Sequence, residues 1–312
     1  WALARQDRNG EAIDFFQESL QVKEKIYEST HRSVAASLTN LSSLLHDESR
    51  GEEAEAAARR AVEIFTESIG LQHQHTAHAL HNHAKALSLL ARHEEATNVA
   101  RQVISIRREV LPPNHPELAY GISLLAEIME DLNTDLEEAE RLHRESLEIR
   151  KGAWDTEHIS IASGYEKLGL FLSRQGRFEE SEPLIQESLR INRLNYDPDS
   201  LSVAVSESFV AGHMCRKPDT LDAGVKLART SLRKLAKILP DSHYRIGEVN
   251  LVIGHCLLEQ EELKAAEPFL VKAVDTLRDV HGEEGNRTLA AKAMLKRLNE
   301  MREGSKGDDA PS

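Results

Sequence analysis

The chain has 312 residues, 40% hydrophobic but only 4% aromatic, with 29% charged; this suits helices packed through Ala, Leu, Ile and Val better than a β-sandwich. A formal net charge of −13 opposes phosphate and anionic lipid, so neither nucleic acid nor a membrane surface is expected as partner, and no apolar run of about 18 residues offers a span. The two cysteines, Cys215 and Cys256, lack metal-ligand spacing and imply no disulfide framework, which points to a reducing, cytoplasmic setting.

The first helical pattern opens at Gly10-Glu11-Ala12. It returns at Glu53-Ala54, Glu95-Ala96, Glu138-Ala139, Glu180-Ser181, Ala223-Gly224 and Ala265-Ala266. The small residues at 12, 54, 96, 139, 181, 224 and 266 are spaced 42, 42, 43, 42, 43 and 42 apart. Seven residues after each come Ser19, Ala61, Val103, Ser146, Ser188, Ser231 and Ala273, and one further on Leu20, Val62, Ile104, Leu147, Leu189, Leu232 and Val274. A second small column, Ser42, Ala84, Ala126, Gly169, Gly212 and Gly254, lies upstream, followed three residues later by Leu45, Leu87, Met129, Leu172, Cys215 and Leu257. Offsets of three, four, seven and eight share one helical face. Each unit therefore carries two amphipathic helices, A and B, crossing closely at their small residues.

Punctuation agrees with that phasing. The A–B turns hold Asn9-Gly10, Arg50-Gly51 and Gln175-Gly176 as expected stop signals. Helix B is expected to end near Gly70, Pro112-Pro113, Pro240 and Gly282. His31, His73, His115, His158 and His243 each stand four residues before a small residue of helix A, with Ser200 in the sixth place; packing or capping at the start of helix A is their expected work. Glu-Glu pairs recur where helix B begins and favour its positive dipole end.

These residues resemble the tetratricopeptide repeat, and more closely its 42-residue variety in kinesin light chains and many bacterial and fungal signalling proteins. The matching stretches are Asn114-His115-Pro116-Glu117-Leu118-Ala119, Leu38-Thr39-Asn40-Leu41 and Glu52-Glu53-Ala54-Glu55. The period alone would also admit HEAT or armadillo units; the paired small columns and loop histidines favour tetratricopeptides. The resemblance implies an all-α fold, an α-α superhelix: a solenoid of about seven helical hairpins with a C-terminal capping helix. Its units fall at about 1–29, 30–71, 72–113, 114–156, 157–198, 199–241 and 242–285, followed by a capping helix at 286–303 and a disordered tail at 304–312. In this phase Trp1 falls just past the first small column. Most of the first helix A is then missing, and the chain reads as an excerpt. The sixth repeat is degenerate, with Pro218-Asp219 in its turn. The helix-A asparagine survives as Asn40 and Asn82 and gives way to Leu124, Lys167, Val210 and Val252.

By the same resemblance the chain is a non-catalytic scaffold that takes a protein or peptide in a concave groove lined by helix A, as part of a larger signalling or adaptor protein or as a cargo adaptor. The inward positions carry His78, His81, Lys85, Tyr120, Glu127, Glu130, Asp131, Glu166, Arg174, Phe209, His213, Arg216, Lys217 and His255, acidic in the middle and basic near 213–217. The Lys and Asn pairs that clamp a C-terminal carboxylate in chaperone adaptors are absent. No cofactor is expected: there is no Walker motif, Gly-x-Gly-x-x-Gly or His-Glu-x-x-His. The segment 72–83 holds five histidines and admits a metal or enzymatic reading at His75–His83. It contains no Cys or carboxylate to close such a site, and solvated helix positions account for it more simply.

Overall fold

The helical period of the sequence is realised throughout the computed structural model, which describes residues 9–307 except residue 284. The helices are α1 (Asn9–Ile26), α2 (Arg32–Asp47), α3 (Gly51–Ile69), α4 (Gln74–Leu89), α5 (His93–Val110), α6 (Pro116–Asp131), α7 (Leu136–Ala153), α8 (Ile159–Arg174), α9 (Phe178–Asn195), α10 (Leu201–Met214), α11 (Leu221–Ile238), α12 (Tyr244–Glu259), α13 (Leu263–His281) and α14 (Asn286–Gly307). No strand occurs among the described residues. The chain divides into residues 1–156 and residues 157–312. In the first unit α2–α3, α4–α5 and α6–α7 pair as hairpins and α1 packs on α2; in the second α8–α9, α10–α11 and α12–α13 pair and α14 packs on α13.

The loop histidines start the A helices. In each case the imidazole Nδ1 accepts an amide proton two residues on: from Ser33 to His31 (3.2 Å), His75 to His73 (3.1 Å), Glu117 to His115 (3.2 Å), Ser160 to His158 (3.1 Å) and Arg245 to His243 (3.1 Å). Ser200 does the same for the Val203 amide at 3.4 Å. A helix start leaves four amide protons without partners, and the column exists to satisfy one of them.

The small columns let the helices approach. A Cβ on Gly169 would lie 2.7 Å from an Ile185 side-chain carbon, and one on Gly254 2.4 Å from Leu270 Cδ2. At three of the serines the hydroxyl donates across the crossing: Ser42 to the Ala54 carbonyl (2.7 Å), Ser146 to that of Ala119 (2.9 Å) and Ser231 to that of Ala204 (2.6 Å). The apolar columns fill the remaining space; Leu45, Leu87, Leu172, Leu257 and Leu270 are buried, each contributing about 1.5–3 kcal/mol relative to exposure.

The A–B turns differ from expectation. Gly10 and Gly51 lie inside helices; Gly51 serves close packing, since an added Cβ would meet Leu90 Cδ2 at 2.8 Å. The left-handed position is instead a column of its own: Ser49, Ala91, Asn133, Gly176 and Glu261, with φ of 59°, 57°, 51°, 75° and 61°. Only one member is glycine, so the glycine signal missed the rest. Helix B ends as expected, at the positive-φ residues Gly70 and Gly282 and just before Pro112 and Pro240. The degenerate sixth repeat inserts a 3₁₀ turn, Pro218–Thr220, between α10 and α11.

The cysteine expectation is overturned: Cys215, at the end of α10, and Cys256, in α12, form a disulfide with Cα atoms 5.0 Å apart. Both stand in the apolar face of helix A, one repeat apart, and the small columns bring successive A helices within bridging distance. Cysteine usage therefore no longer argues for a reducing compartment. At the C-terminal end α14 runs to Gly307, past the expected boundary at 303, and buries Ala291 and Leu298; residues 308–312, like the first-helix reading at Trp1, lie outside the described residues.

Candidate functional site

In the first unit, side chains of three successive A helices meet in a row. On α2 this end of the row holds His46 and Asp47, on α4 Lys85 and on α6 Glu127. Lys85 Nζ is 3.9 Å from Asp47. Burial pulls the His46 imidazole below its ordinary value; Lys85 adds to that, while Asp47 and Glu127 oppose it. About two turns earlier on α6, Tyr120 is 41% exposed, and the Arg150 guanidinium lies 4.6 Å from its ring centre. His78 occupies the matching place on α4, its imidazole lowered by burial and by Arg107, with Glu117 opposing. His81 sits half-buried between.

Arg150 and Arg107 went unrecognised in the sequence because they stand in a helix-B column that holds Phe65, Leu235 and Leu277 in other repeats. Both are buried, at 1% and 2% exposure. Arg107 donates to the Glu117 carbonyl at 2.7 Å and pairs with its carboxylate at 3.1 Å. Arg150 donates to Ser146 (3.2 Å) and Ser123 (3.4 Å). Lys23 and Asn192, in the same column, donate to Ser37 and Ser206. A hydrogen-bonding side chain recurring in a column that other repeats fill with apolar residues was the available signal. Desolvating a guanidinium costs several kcal/mol unless it is fully paired, which explains the surrounding serines and carbonyls.

One expected groove residue of this unit turns elsewhere. Glu130 packs toward α7, its carboxylate 3.7 Å from the buried His143 ring. Asp131 lies half-buried at the end of α6. Asn82 donates from α4 to the Thr39 carbonyl of α2 at 2.9 Å, so the surviving asparagine links neighbouring repeats.

The inner face of the second unit is largely paired within itself. Burial pushes the Glu166 carboxyl up, with Arg245 and Lys167 opposing, and Ser206 donates to it at 3.4 Å. Burial also opposes ionisation of Glu248, but the guanidinium groups of Arg287 and Arg245 outweigh it and hold that carboxyl low; Arg287 lies 2.6 Å from it. Phe209 packs half-buried against the core. His213 is buried, not inward-facing in the open, and its Nε2 meets the Ser181 hydroxyl at 2.9 Å. Arg216 stacks 3.9 Å over the Phe178 ring and Lys217 pairs with Glu182, so the basic end expected at 213–217 is spent on α9. Arg174 is exposed, and His255 lies half-buried 3.6 Å from Glu259.

Segment 72–83 is divided among separate tasks. His73 caps α4, His75 stacks 5.8 Å from Phe65 and His83 Nε2 meets Glu55 at 3.1 Å. Among the described residues no group of three His, Cys, Asp or Glu side chains could hold a metal ion, and no described helix is long and apolar enough to cross a membrane.

Family models described as tetratricopeptide repeat match residues 2–67, 34–109 and 161–200. Among solved structures the chain is similar to the nearly identical TPR-like repeats of a Podosopora anserina protein named for kinesin light chain (18% identity, 64% of this chain and 94% of that one, TM-score 0.50). It is similar to BtubC (BKLC) from P. vanneervenii (15%, 84% and 94%, TM-score 0.53). It is also similar to a Rap protein complexed with Competence and Sporulation Factor (14%, 94% and 85%, TM-score 0.56). At these identities the likeness is one of fold. No curated protein matches the sequence.

Proposed function

We propose that the chain, whose residues 2–109 and 161–200 match tetratricopeptide-repeat models, is a repeat protein of the 42-residue, kinesin-light-chain-like type and a non-catalytic scaffold that takes a protein or peptide segment on the A-helix face of its first unit. One observation carries this reading. The half-exposed Tyr120 ring, backed by the buried Arg150, stands about two turns before Glu127 on α6, while Lys85 on α4 lies 3.9 Å from Asp47 on α2. Such an aromatic is held in one orientation before any partner arrives, so little side-chain entropy is lost when it becomes an anchor. The flanking charges set polarity and steer encounter more than they set dwell time. A partner segment would present an apolar side chain to Tyr120 and opposite charges to Lys85 and Glu127.

A Rap protein of similar fold is seen with Competence and Sporulation Factor bound, which supports a partner-binding role, and we place that role in a larger signalling or adaptor protein. The cargo-adaptor reading draws support from the kinesin-light-chain-like neighbours. Peptide display selected on the full chain, followed by titration of the enriched peptides, tests the site. Tyr120→Ala should weaken binding by more than about 1 kcal/mol, and Lys85→Glu should mainly slow association. Peptides indifferent to both substitutions would remove the site from this face.

A further inference from the structure

The helix α11 reverses the charge of the chain. It carries Lys226, Arg229, Arg233, Lys234 and Lys237 against the single acid Asp222. Several exposed arginines on other B helices are tied to carboxylates of their own helix: Arg141 to Glu138, Arg144 to Glu140 and Arg190 to Glu187. On α11, Lys234 is drawn inward to Glu207 at 2.8 Å and Lys237 lies 3.8 Å from Asp199. The remaining three cations are exposed, and none lies within ion-pair distance of a carboxylate among the described residues. Arg229 lies 5.5 Å from the Phe269 ring centre, and Arg233 donates only to Thr230.

These three cations rim a shallow depression of about 570 Å³ between α11 and α13. Its floor is Val225, Leu232 and Phe269, half-buried side chains that also pack on the core beneath. One end is closed by Gln260 donating to Asp222. The apolar floor is only three side chains wide, which suits one apolar side chain rather than an extended apolar segment, and a ring of cations around it is complementary to carboxylates on either side of that residue. The remaining apolar face of α11, with Ala228 and Leu235, is buried within the fold, so the helix has no broad apolar stripe to lay into a bilayer. A phosphate backbone would use the cations and leave the apolar floor empty.

We propose that the outer face of α11 and α13 is a second docking surface, which takes an acidic peptide segment that seats one aliphatic or aromatic side chain on Phe269 and Leu232 and pairs its carboxylates with Lys226, Arg229 and Arg233. The surface lies on B helices and is independent of the A-helix site on the first unit. The Debye length at physiological salt is about 8 Å, so the local cations govern a short ligand despite the overall acidity.

The test uses the full chain and a fluorescein-labelled twelve-residue Glu/Asp peptide with one central Leu, read by anisotropy. Binding is expected, weakening as salt rises and roughly tenfold weaker for the peptide with Ser in place of Leu. The K226E/R229E/R233E variant, its helicity confirmed by circular dichroism, should lose it by at least about tenfold. Arg190→Glu and Tyr120→Ala should leave it unchanged, which separates this surface from the A-helix site. Absence of peptide binding, a folded triple variant that binds like the parent, or displacement of the peptide by phosphatidylserine vesicles or polyuridylate would overturn the proposal.

Discussion

Ala91 and Gly176 occupy the same turn position with φ of 57° and 75°, and they bear its cost differently. A non-glycine residue in the left-handed region loses about 1–2 kcal/mol to contact between Cβ and the carbonyl. Ala91→Gly should therefore raise the unfolding free energy and Gly176→Ala should lower it, each by about 1 kcal/mol, both read by denaturant unfolding; equal and small effects would mean that the turn is not left-handed in solution. The small column makes the complementary prediction. Gly169→Leu forces atoms into the space of Ile185 and should cost about 1–3 kcal/mol, whereas Leu at the exposed Gln186 should change little. The small column was legible because a missing side chain recurs as a residue type. The left-handed column was not, because five residue types fill one backbone conformation.

At the scale of the element, four A helices carry desolvated histidines. Burial lowers the imidazoles of His46, His78, His213 and His255, and a nearby cation (Lys85, Arg107 or Arg216) adds to the shift in each. A proton then binds the unfolded chain more readily than the folded one. The folded state holds its full stability above the unfolded value of about 6.5 and loses it as pH falls below that. Carboxylates held low by arginines, such as Glu53 and Glu95, withdraw their contribution only below about 4.5. The melting temperature should thus drop between pH 7.5 and 5.5, well above the carboxylate range, and His46→Leu with His255→Leu should flatten that slope. A midpoint constant across this interval would mean that these rings titrate alike in both states. The capping role of the loop histidines was legible from their phase with helix A. The buried His143 was not, because a single substitution in one repeat leaves no column to read.

At the scale of the whole molecule, the Cys215–Cys256 bridge closes a loop of 41 residues in sequence. Chain-entropy arguments give such a loop about 4 kcal/mol, directed to the degenerate sixth repeat and its neighbour. Reduction should lower the unfolding midpoint, and hydrogen exchange should quicken first in α10 and α12; a melt unaltered by reductant would show that the bridge is not formed. Cysteine spacing could not announce it. Two cysteines one repeat apart are distant in sequence, and only the stacking of A helices carries them together.

The sequence by itself determined whatever repeats. Helix phase, hairpin pairing, the close crossings and the histidine starts each recur at a period of about 42, so local chemistry is copied often enough to be seen in one chain. The tertiary structure decided what happens once. Lys85 comes within 3.9 Å of Asp47 on the neighbouring A helix, whereas Glu130 and His213 turn into the packing and Arg216 and Lys217 are taken up by Phe178 and Glu182. Helical spacing specifies the side of a helix from which a residue starts. Long charged side chains then reach several ångströms to whatever partner a neighbouring helix supplies, and that partner is known only when the helices are packed.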